Sequence, residues 1–390
     1  MPRACSTYAP YRLEARFPDL MTSTPLQLYF VTAPGLEATL CEEVRSLGFH
    51  GAQAQRGGVS ASGGWSDVWR ANRAVRGATR ILVEFASFRV VHLSQLDKRA
   101  RKLDWGALLK PGVPVRVEAS CRSSKIYHAG AAQERIETAI REAFGSPVDD
   151  DAPVTIRVRI DNNVCTLSVD SSGEPLHKRG FKLAVAKAPL RETLAALFLR
   201  QAGFAGTEPV IDPMCGSGTF AIEAAEMAAG LWPGRARTFA FEQLATYDAG
   251  RDPGVSTQER TVPEGVRFYG YDRDENAVRM ARENAERAGV TDLTVFKQQP
   301  MSALTRPDGP AGLILSNPPY GGRIGNKARL AALYRAFGDA ARRDFAGWRA
   351  GLVTDDEKLA RATGLSFAYQ SAPVDHGGIT VKLYLTARPA

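Results

Sequence analysis

Residues 313–321 read LILSNPPYG, an apolar strand that runs directly into Asn317, Pro318, Pro319 and Tyr320. Neither proline can donate a backbone hydrogen bond and both have a fixed φ, so together they stiffen a turn whose carbonyl points outward. The Asn317 side-chain oxygen and that carbonyl can accept both hydrogens of a planar amino group. This aims the nitrogen lone pair at an incoming electrophile. Tyr320 can stack on a base, a contact worth roughly 1–3 kcal/mol in nucleic-acid complexes. The bland alternative is a surface turn with a buried tyrosine. The strand in front of the motif and a glycine-rich turn upstream argue against it.

That upstream turn lies in residues 209–220, PVIDPMCGSGTF, which continue into AIEAAEMAA. The pattern is strand, tight turn, helix. Gly216 and Gly218 remove Cβ atoms that would block a ligand. The helix N-terminus adds unpaired N–H groups and the positive end of a dipole. Such a turn can hold a phosphate or a carboxylate. Asp212, at the strand end, would repel a pyrophosphate but suits the ammonium of an amino acid-bearing cofactor. The third glycine of a dinucleotide fingerprint is replaced by Ala221. The next strand, 266–271, leads into Asp272, placed to accept hydrogen bonds from ribose hydroxyls. Asp274 is expected to cap the following helix. The step implied is in-line attack of an amine on a sulfonium methyl. The leaving group is neutral and the proton can depart late, so catalysis is mainly positioning. A base in duplex or folded RNA would have to be extruded to reach such a pocket.

The elements that must position these motifs follow from periodicity. Residues 26–90 give strand 26–32, helix 35–47, two strands around Gly57-Gly58, a helix near 66–75 and strand 80–86, the β-α-β-β-α-β ferredoxin-like order. Residues 91–170 give a basic helix at 92–102, strand 114–120, helix 129–144 and strands 154–160 and 164–170. Residues 171–188 are polar, basic and glycine-containing, so they are expected to be a linker. From 189 to 390, helices alternate with apolar strands at 209–212, 266–271, 293–296, 311–316, 349–354, 365–371 and 379–386, which predicts a doubly wound α/β domain. Pro189 is expected to open a helix. Residues 230–264 are a Pro/Gly/Arg-rich insertion of open role. Residues 1–25 are expected to be a disordered tail, with Met1 or Met21 as the start.

Composition narrows the function classes. The 390 residues carry a net charge of +8 and a pI near 9.3, which favours a polyanionic partner. Residues 86–190 hold 17 Lys and Arg against 12 Asp and Glu, five of the eight excess charges. No apolar run reaches the roughly 18–20 residues of a membrane helix, and the first twenty residues do not read as a secretory signal. Five widely spaced cysteines without a C-x-x-C pair suggest neither a disulfide framework nor a zinc site. A cytoplasmic monomer without metal is expected. Cys215 is expected to be packing, and Trp65 and Trp69 helix core.

The stretches DPMCGSGTFAIEAA (212–225), SNPPYGGRIG (316–325) and SGEPLHKRGFKLAVAKAPLRETLAA (172–196) resemble the THUMP-domain RNA guanine-N2 methyltransferases, most of all the bacterial 23S rRNA type. SCRSSKIYHAGAAQERI (120–136) is similar to the THUMP segment of that family. The resemblance implies a ferredoxin-like subdomain, a THUMP RNA-binding domain and a class I, Rossmann-like methyltransferase domain that uses S-adenosyl-L-methionine. It implies Asp212, Pro213, Met214, Gly216, Gly218 and Thr219 around the methionine part of the cofactor, Asp272 at the ribose and Asn317, Pro318, Pro319 and Tyr320 at the target guanine. Where the family carries an acidic residue near the adenine, this chain has Gln299-Pro300-Met301, so Gln299, Met301 or backbone groups make that contact. Lys125, Tyr127, His128, Lys178, Arg179 and Arg323 are the expected RNA contacts. Arg89, Lys98, Arg99, Arg101 and Lys102 are further phosphate candidates. The motif alone leaves tRNA guanine-N2 or adenine-N6 methylation open, as well as an RNA-binding protein without turnover.

Overall fold

The computed structural model describes residues 25–182, 190–252, 254, 261–320 and 327–387. Alternation organises the first half. Leu28 and Phe30 point inward from Leu26–Val31 (β1), and Leu40 and Val44 from Glu37–Ser46 (α1). The chain leaves α1 through Gly48 at φ +78°, a conformation that only glycine adopts at no steric cost. His50–Gln55 (β2), Gly58–Gly63 (β3), Trp65–Ala74 (α2) and Arg80–Arg89 (β4) complete the first unit. Its strand order, β2-β3-β1-β4, with β1 antiparallel to β3 and β4, is the ferredoxin-like arrangement. Leu93–Ala100 (α3), Val115–Arg122 (β5), Ala129–Ala143 (α4), Val154–Asp161 (β6) and Val164–Asp170 (β7) follow.

Strand β4 runs on past the 80–86 expected from sequence, and the extension has a consequence. It pairs with β1 through residues 80–84 and with β7 through Leu82–Arg89, a bulge between Glu84 and Ala86 absorbing the register shift. The first two units therefore share one seven-stranded sheet, β2-β3-β1-β4-β7-β6-β5.

The second half contains Glu192–Gln201 (α5), Val210–Asp212 (β8), Thr219–Ala229 (α6), Phe268–Asp272 (β9), Glu275–Arg287 (α7), Thr294–Gln298 (β10), Leu313–Ser316 (β11), Lys327–Asp344 (α8), Arg349–Thr354 (β12), Glu357–Ala362 (α9), Phe367–Gln370 (β13), Val374–His376 (β14) and Ile379–Thr386 (β15). The sheet order is β10-β9-β8-β11-β12-β15-β13, with β14 hydrogen-bonded to β15. Strands β8 to β12 are parallel and β15 is antiparallel. Every residue of β11 and β12 is buried, as expected for strands covered on both faces. The chain leaves β8 toward β9 and β10 and then returns to β11 on the other side. That makes the carboxyl ends of β8 and β11 a topological switch point, where open α/β sheets bind ligands.

The halves are clasped rather than merely linked. Residues 171–188 were expected to be a linker; the described part is built into the fold. Ser171 and Ser172 are buried and exchange hydrogen bonds with Asn72 of α2 (2.8 and 2.6 Å). Arg179, expected at an RNA phosphate, is corrected to an interior residue. It is 1 % exposed, and its guanidinium donates to the Leu176 and Arg76 carbonyls (2.9 Å each) and to Glu223 of α6 (3.2 Å). Arg76 pairs with the same Glu223 at 2.7 Å. A buried charge at this depth is stable only when paired. The described part of the insertion lies against the first half. Arg73 makes two 2.6 Å hydrogen bonds to Asp252, Phe241 and Tyr247 pack on Trp69, and Arg237 donates to the carbonyls of Ser172, Glu174, Pro175 and Lys178.

Candidate functional site

A cleft of 1940 Å³ opens at the carboxyl ends of β8, β9 and β11. Its floor is set by two carboxylates. Asp212, 3 % exposed at the end of β8, accepts on one oxygen from the Ser316 hydroxyl (2.7 Å) and the Met214 N–H (3.1 Å). Burial pushes its pKa up to about 7, against the two hydrogen bonds and with help from the nearby Asp272 charge. Asp272, at the end of β9, accepts from the Gly216 N–H and the Asp274 N–H, both at 3.0 Å. It therefore holds the glycine turn as well as facing the cleft. Asp274 caps α7 by accepting from the Asn276 N–H at 3.0 Å.

The two glycines of the turn do different work. Gly216, at φ +52°, lines the cleft. Gly218 is not on the wall. At φ +87° it precedes α6, and a Cβ there would lie 3.0–3.1 Å from Ala281, Ile222 and Phe296. Its missing side chain makes room for α7 and β10 rather than for a ligand, which corrects the role expected from sequence. Cys215 is buried, and burial raises its thiol well above the usual range. It is an inert packing group.

Asn317, Pro318, Pro319 and Tyr320 line the same cleft as Pro213, Met214 and Thr219. The Asn317 side-chain oxygen is buried and has no hydrogen-bond partner. Such an atom costs about 1–3 kcal/mol unless something donates to it. The Pro319 carbonyl accepts from the buried Tyr334 hydroxyl (3.4 Å), whose oxygen in turn accepts from the Thr354 hydroxyl (3.1 Å). No donor to the Pro318 carbonyl is seen among the described residues. Tyr320 is half-buried, and burial raises its phenol, so the ring stays neutral. Met301 and Ala277, both buried, line the cleft with the partly buried Met280. The Gln299 amide donates to the Ala303 carbonyl (2.6 Å), which fixes its orientation beside them.

Sequence reasoning missed several cleft residues. Ser316, fully buried and bonded to the cleft's Asp212 rather than on the wall itself, is a strand residue with no signal of its own until β8 and β11 are seen to be neighbours. Lys182 is half-buried, pairs with Glu192 (2.8 Å) and donates to the Thr219 hydroxyl (2.9 Å). His177, Arg191 and His376 reach the wall from three separate segments.

Of the expected RNA contacts, Lys125, Tyr127 and His128 are exposed together between β5 and α4, Tyr127 at 83 %. Asn163 pins their loop by accepting from the Lys125 N–H at 2.8 Å. His128 also caps α4, its Nδ1 accepting from the Ala131 N–H at 3.1 Å. Lys178 is exposed but paired with Glu174 at 2.7 Å. Arg101 is spent on Asp97 and Glu142. Arg323, like Pro189 and residues 1–24, lies outside the described residues.

Three regions of the chain match known protein families. Residues 179–384 match the family model described as RMKL-like, methyltransferase domain. Residues 27–82 match an RlmL ferredoxin-like domain and residues 91–170 a THUMP domain. The ribosomal RNA large subunit methyltransferase K/L of Vibrio campbellii is 32% identical over 85% of this chain and 49% of its own length. That of Syntrophotalea carbinolica is 33% identical over 86% of this chain and 50% of its own. The chain thus spans about half the length of these curated relatives. A possible methylase from Clostridium difficile superposes with a TM-score of 0.83 at 28% identity, covering 94% of this chain and 99% of the other. A protein assigned as a methyltransferase and crystallised with SAH gives 0.80 at 26%, covering 95% and 100%.

Proposed function

The chain belongs to the RMKL-like methyltransferase family, and we propose that it methylates the exocyclic N2 amine of a guanine in RNA, 23S rRNA above all, using S-adenosyl-L-methionine. The observation that carries the proposal is the buried, partnerless Asn317 oxygen in the cleft beside Asp212 and the glycine turn. The names of the K/L relatives and the THUMP match support an rRNA substrate. The motif resemblance to guanine-N2 enzymes selects guanine.

The residues present fit this cofactor. Asp212 is a buried carboxylate whose free oxygen suits an ammonium, and Asp272 faces a ribose position. Met301, Ala277 and Met280 supply an apolar end for a purine. When bound, the cofactor supplies an electrophilic methyl carbon on a sulfonium. Asn317 and the Pro318 carbonyl accept the two amine hydrogens, hold the amine in the base plane and direct its nitrogen at that carbon. Tyr320 stacks on the base and excludes water. No strong base is required, because the amine loses its proton after the bond to carbon has formed. The rate advantage is therefore orientation.

The test is methyl transfer from radiolabelled S-adenosyl-L-methionine to unmodified total RNA. Label in large-subunit rRNA, released as N2-methylguanosine, supports the proposal. Label in tRNA, in N6-methyladenosine, or in no nucleoside while RNA still binds contradicts it.

A further inference from the structure

The wall of the cleft carries charges of both signs. Asp212, Asp272 and Asp274 mark the part already assigned. His177, Arg191 and His376 also line it, and the proposed mechanism uses none of them. They come from the connector, from the N-cap of α5 and from the end of β14. Arg191 is exposed, and among the described residues its guanidinium has no ion pair or hydrogen bond. It caps a ten-residue helix without a side-chain cap bond, so the first N–H groups of α5 add positive potential there. Both histidines are partly buried, and each has a buried Nδ1 with no hydrogen-bond partner. Burial and the Arg191 charge lower His177 to about 4 and push His376 the same way, Asp375 opposing in the second case. Both imidazoles are neutral at pH 7, and each can donate one N–H. The net feature is one uncommitted cation flanked by two orphaned imidazoles.

We propose that Arg191, His177 and His376 form a subsite for a backbone phosphate adjoining the target nucleotide. This rests on the reading of the cleft as an RNA methyltransferase site. A nucleotide entering the cleft brings a phosphate on each side, and extrusion costs a few kcal/mol that contacts must offset. A guanidinium offers a phosphate two parallel N–H donors, the strongest kind of charge-assisted pair. The imidazoles add directional donors without further charge. The cofactor carboxylate does not explain the cluster. The open N–H groups at the glycine turn offer that carboxylate a separate place, beside Lys182, which donates to Thr219 at the start of α6 and pairs with Glu192.

The experiment measures affinity of the full chain for an unmodified rRNA fragment across salt, without cofactor, and separately for S-adenosylhomocysteine. For Arg191→Ala, the slope of log K against log salt falls by about one relative to wild type. Affinity for S-adenosylhomocysteine stays within twofold, and Arg191→Lys restores most of the slope. An unchanged slope overturns the subsite. So does a tenfold loss of S-adenosylhomocysteine affinity at unchanged slope, which would assign Arg191 to the cofactor carboxylate. Because neither readout involves methyl transfer, a wild-type protein that yields no N2-methylguanosine sinks the function without bearing on this test.

Discussion

The Ser316 hydroxyl donates a 2.7 Å hydrogen bond to Asp212, across the switch point between β11 and β8. One end of this bond belongs to the cofactor strand. The other immediately precedes Asn317. It holds the Asn317 turn in register with Asp212, and it works against the burial that raises the Asp212 pKa to about 7. Ser316→Ala removes that restraint. In the proposed role an ionised Asp212 faces the ammonium, so the pH at which S-adenosylhomocysteine binding is half lost is expected to move up by about one unit. Calorimetric titrations from pH 6 to 9 check this. Affinity drops several-fold at pH 7 and recovers at pH 9, whereas a loss independent of pH would contradict it.

Asp212 also sets a trade between stability and binding. Its folded pKa is raised from 3.8 to about 7, so the folded state holds its proton longer than the unfolded chain does. The stability this provides is complete below about 4 and is lost as pH rises to 7. Asp212→Asn mimics the neutral form at every pH. Denaturant unfolding at pH 8 is expected to show the variant more stable than wild type by roughly 2–4 kcal/mol, with the difference closing toward pH 4. Affinity for S-adenosylhomocysteine at pH 8 falls at least tenfold. Equal or lower stability at pH 8 would show that the carboxylate is stabilised by groups other than those seen.

The Asn317 oxygen has no partner in the free protein, so deleting it leaves the fold intact and removes only amine orientation. Asn317→Ala is expected to lower kcat at least about a hundredfold while cofactor affinity stays within a few-fold. Single-turnover transfer and a binding titration separate the two.

Tyr334 acts through Pro319. Its hydroxyl bridges the Pro319 carbonyl and Thr354, and its ring is 1 % exposed. Tyr334→Phe keeps the ring and frees the carbonyl. Expected are a several-fold fall in kcat, unchanged KM for cofactor and a stability loss of about 1 kcal/mol. An unchanged kcat would show that the prolines hold the turn unaided.

The insertion ties the two sheets together through Arg73 and Asp252, whose side chains are 9% and 5% exposed. Removing one partner leaves a buried charge, so Arg73→Ala costs about 3–5 kcal/mol and exposes the insertion to limited proteolysis. Restoration by Arg73→Lys would be incomplete, because an ammonium cannot make both 2.6 Å bonds.

Much of this was legible in the sequence. The α/β alternation, the ferredoxin-like order and both motifs rest on local periodicity and on residues such as Asn317 and Asp212 that stand next to their own signals. What was not legible depended on contacts between distant segments. The second half of β4 (residues 85–89) is short of pattern because its pairing with β7 makes it a strand. The three-residue β14 exists only as a partner of β15. Arg179 and Lys178 are neighbours of the same charge, yet one is buried on Glu223 and the other exposed on Glu174, and no local rule separates them. Gly218 carries the φ of a turn glycine, but its neighbours are Ala281 and Phe296 rather than a ligand.

The most direct test is a crystal structure with sinefungin and a guanosine-containing RNA fragment. The guanine N2 should lie within about 3 Å of the Asn317 oxygen, in line with the amine that sinefungin carries in place of the methyl. A base seated with N2 turned away from Asn317, or a cleft that excludes the base while sinefungin is bound, would contradict the account.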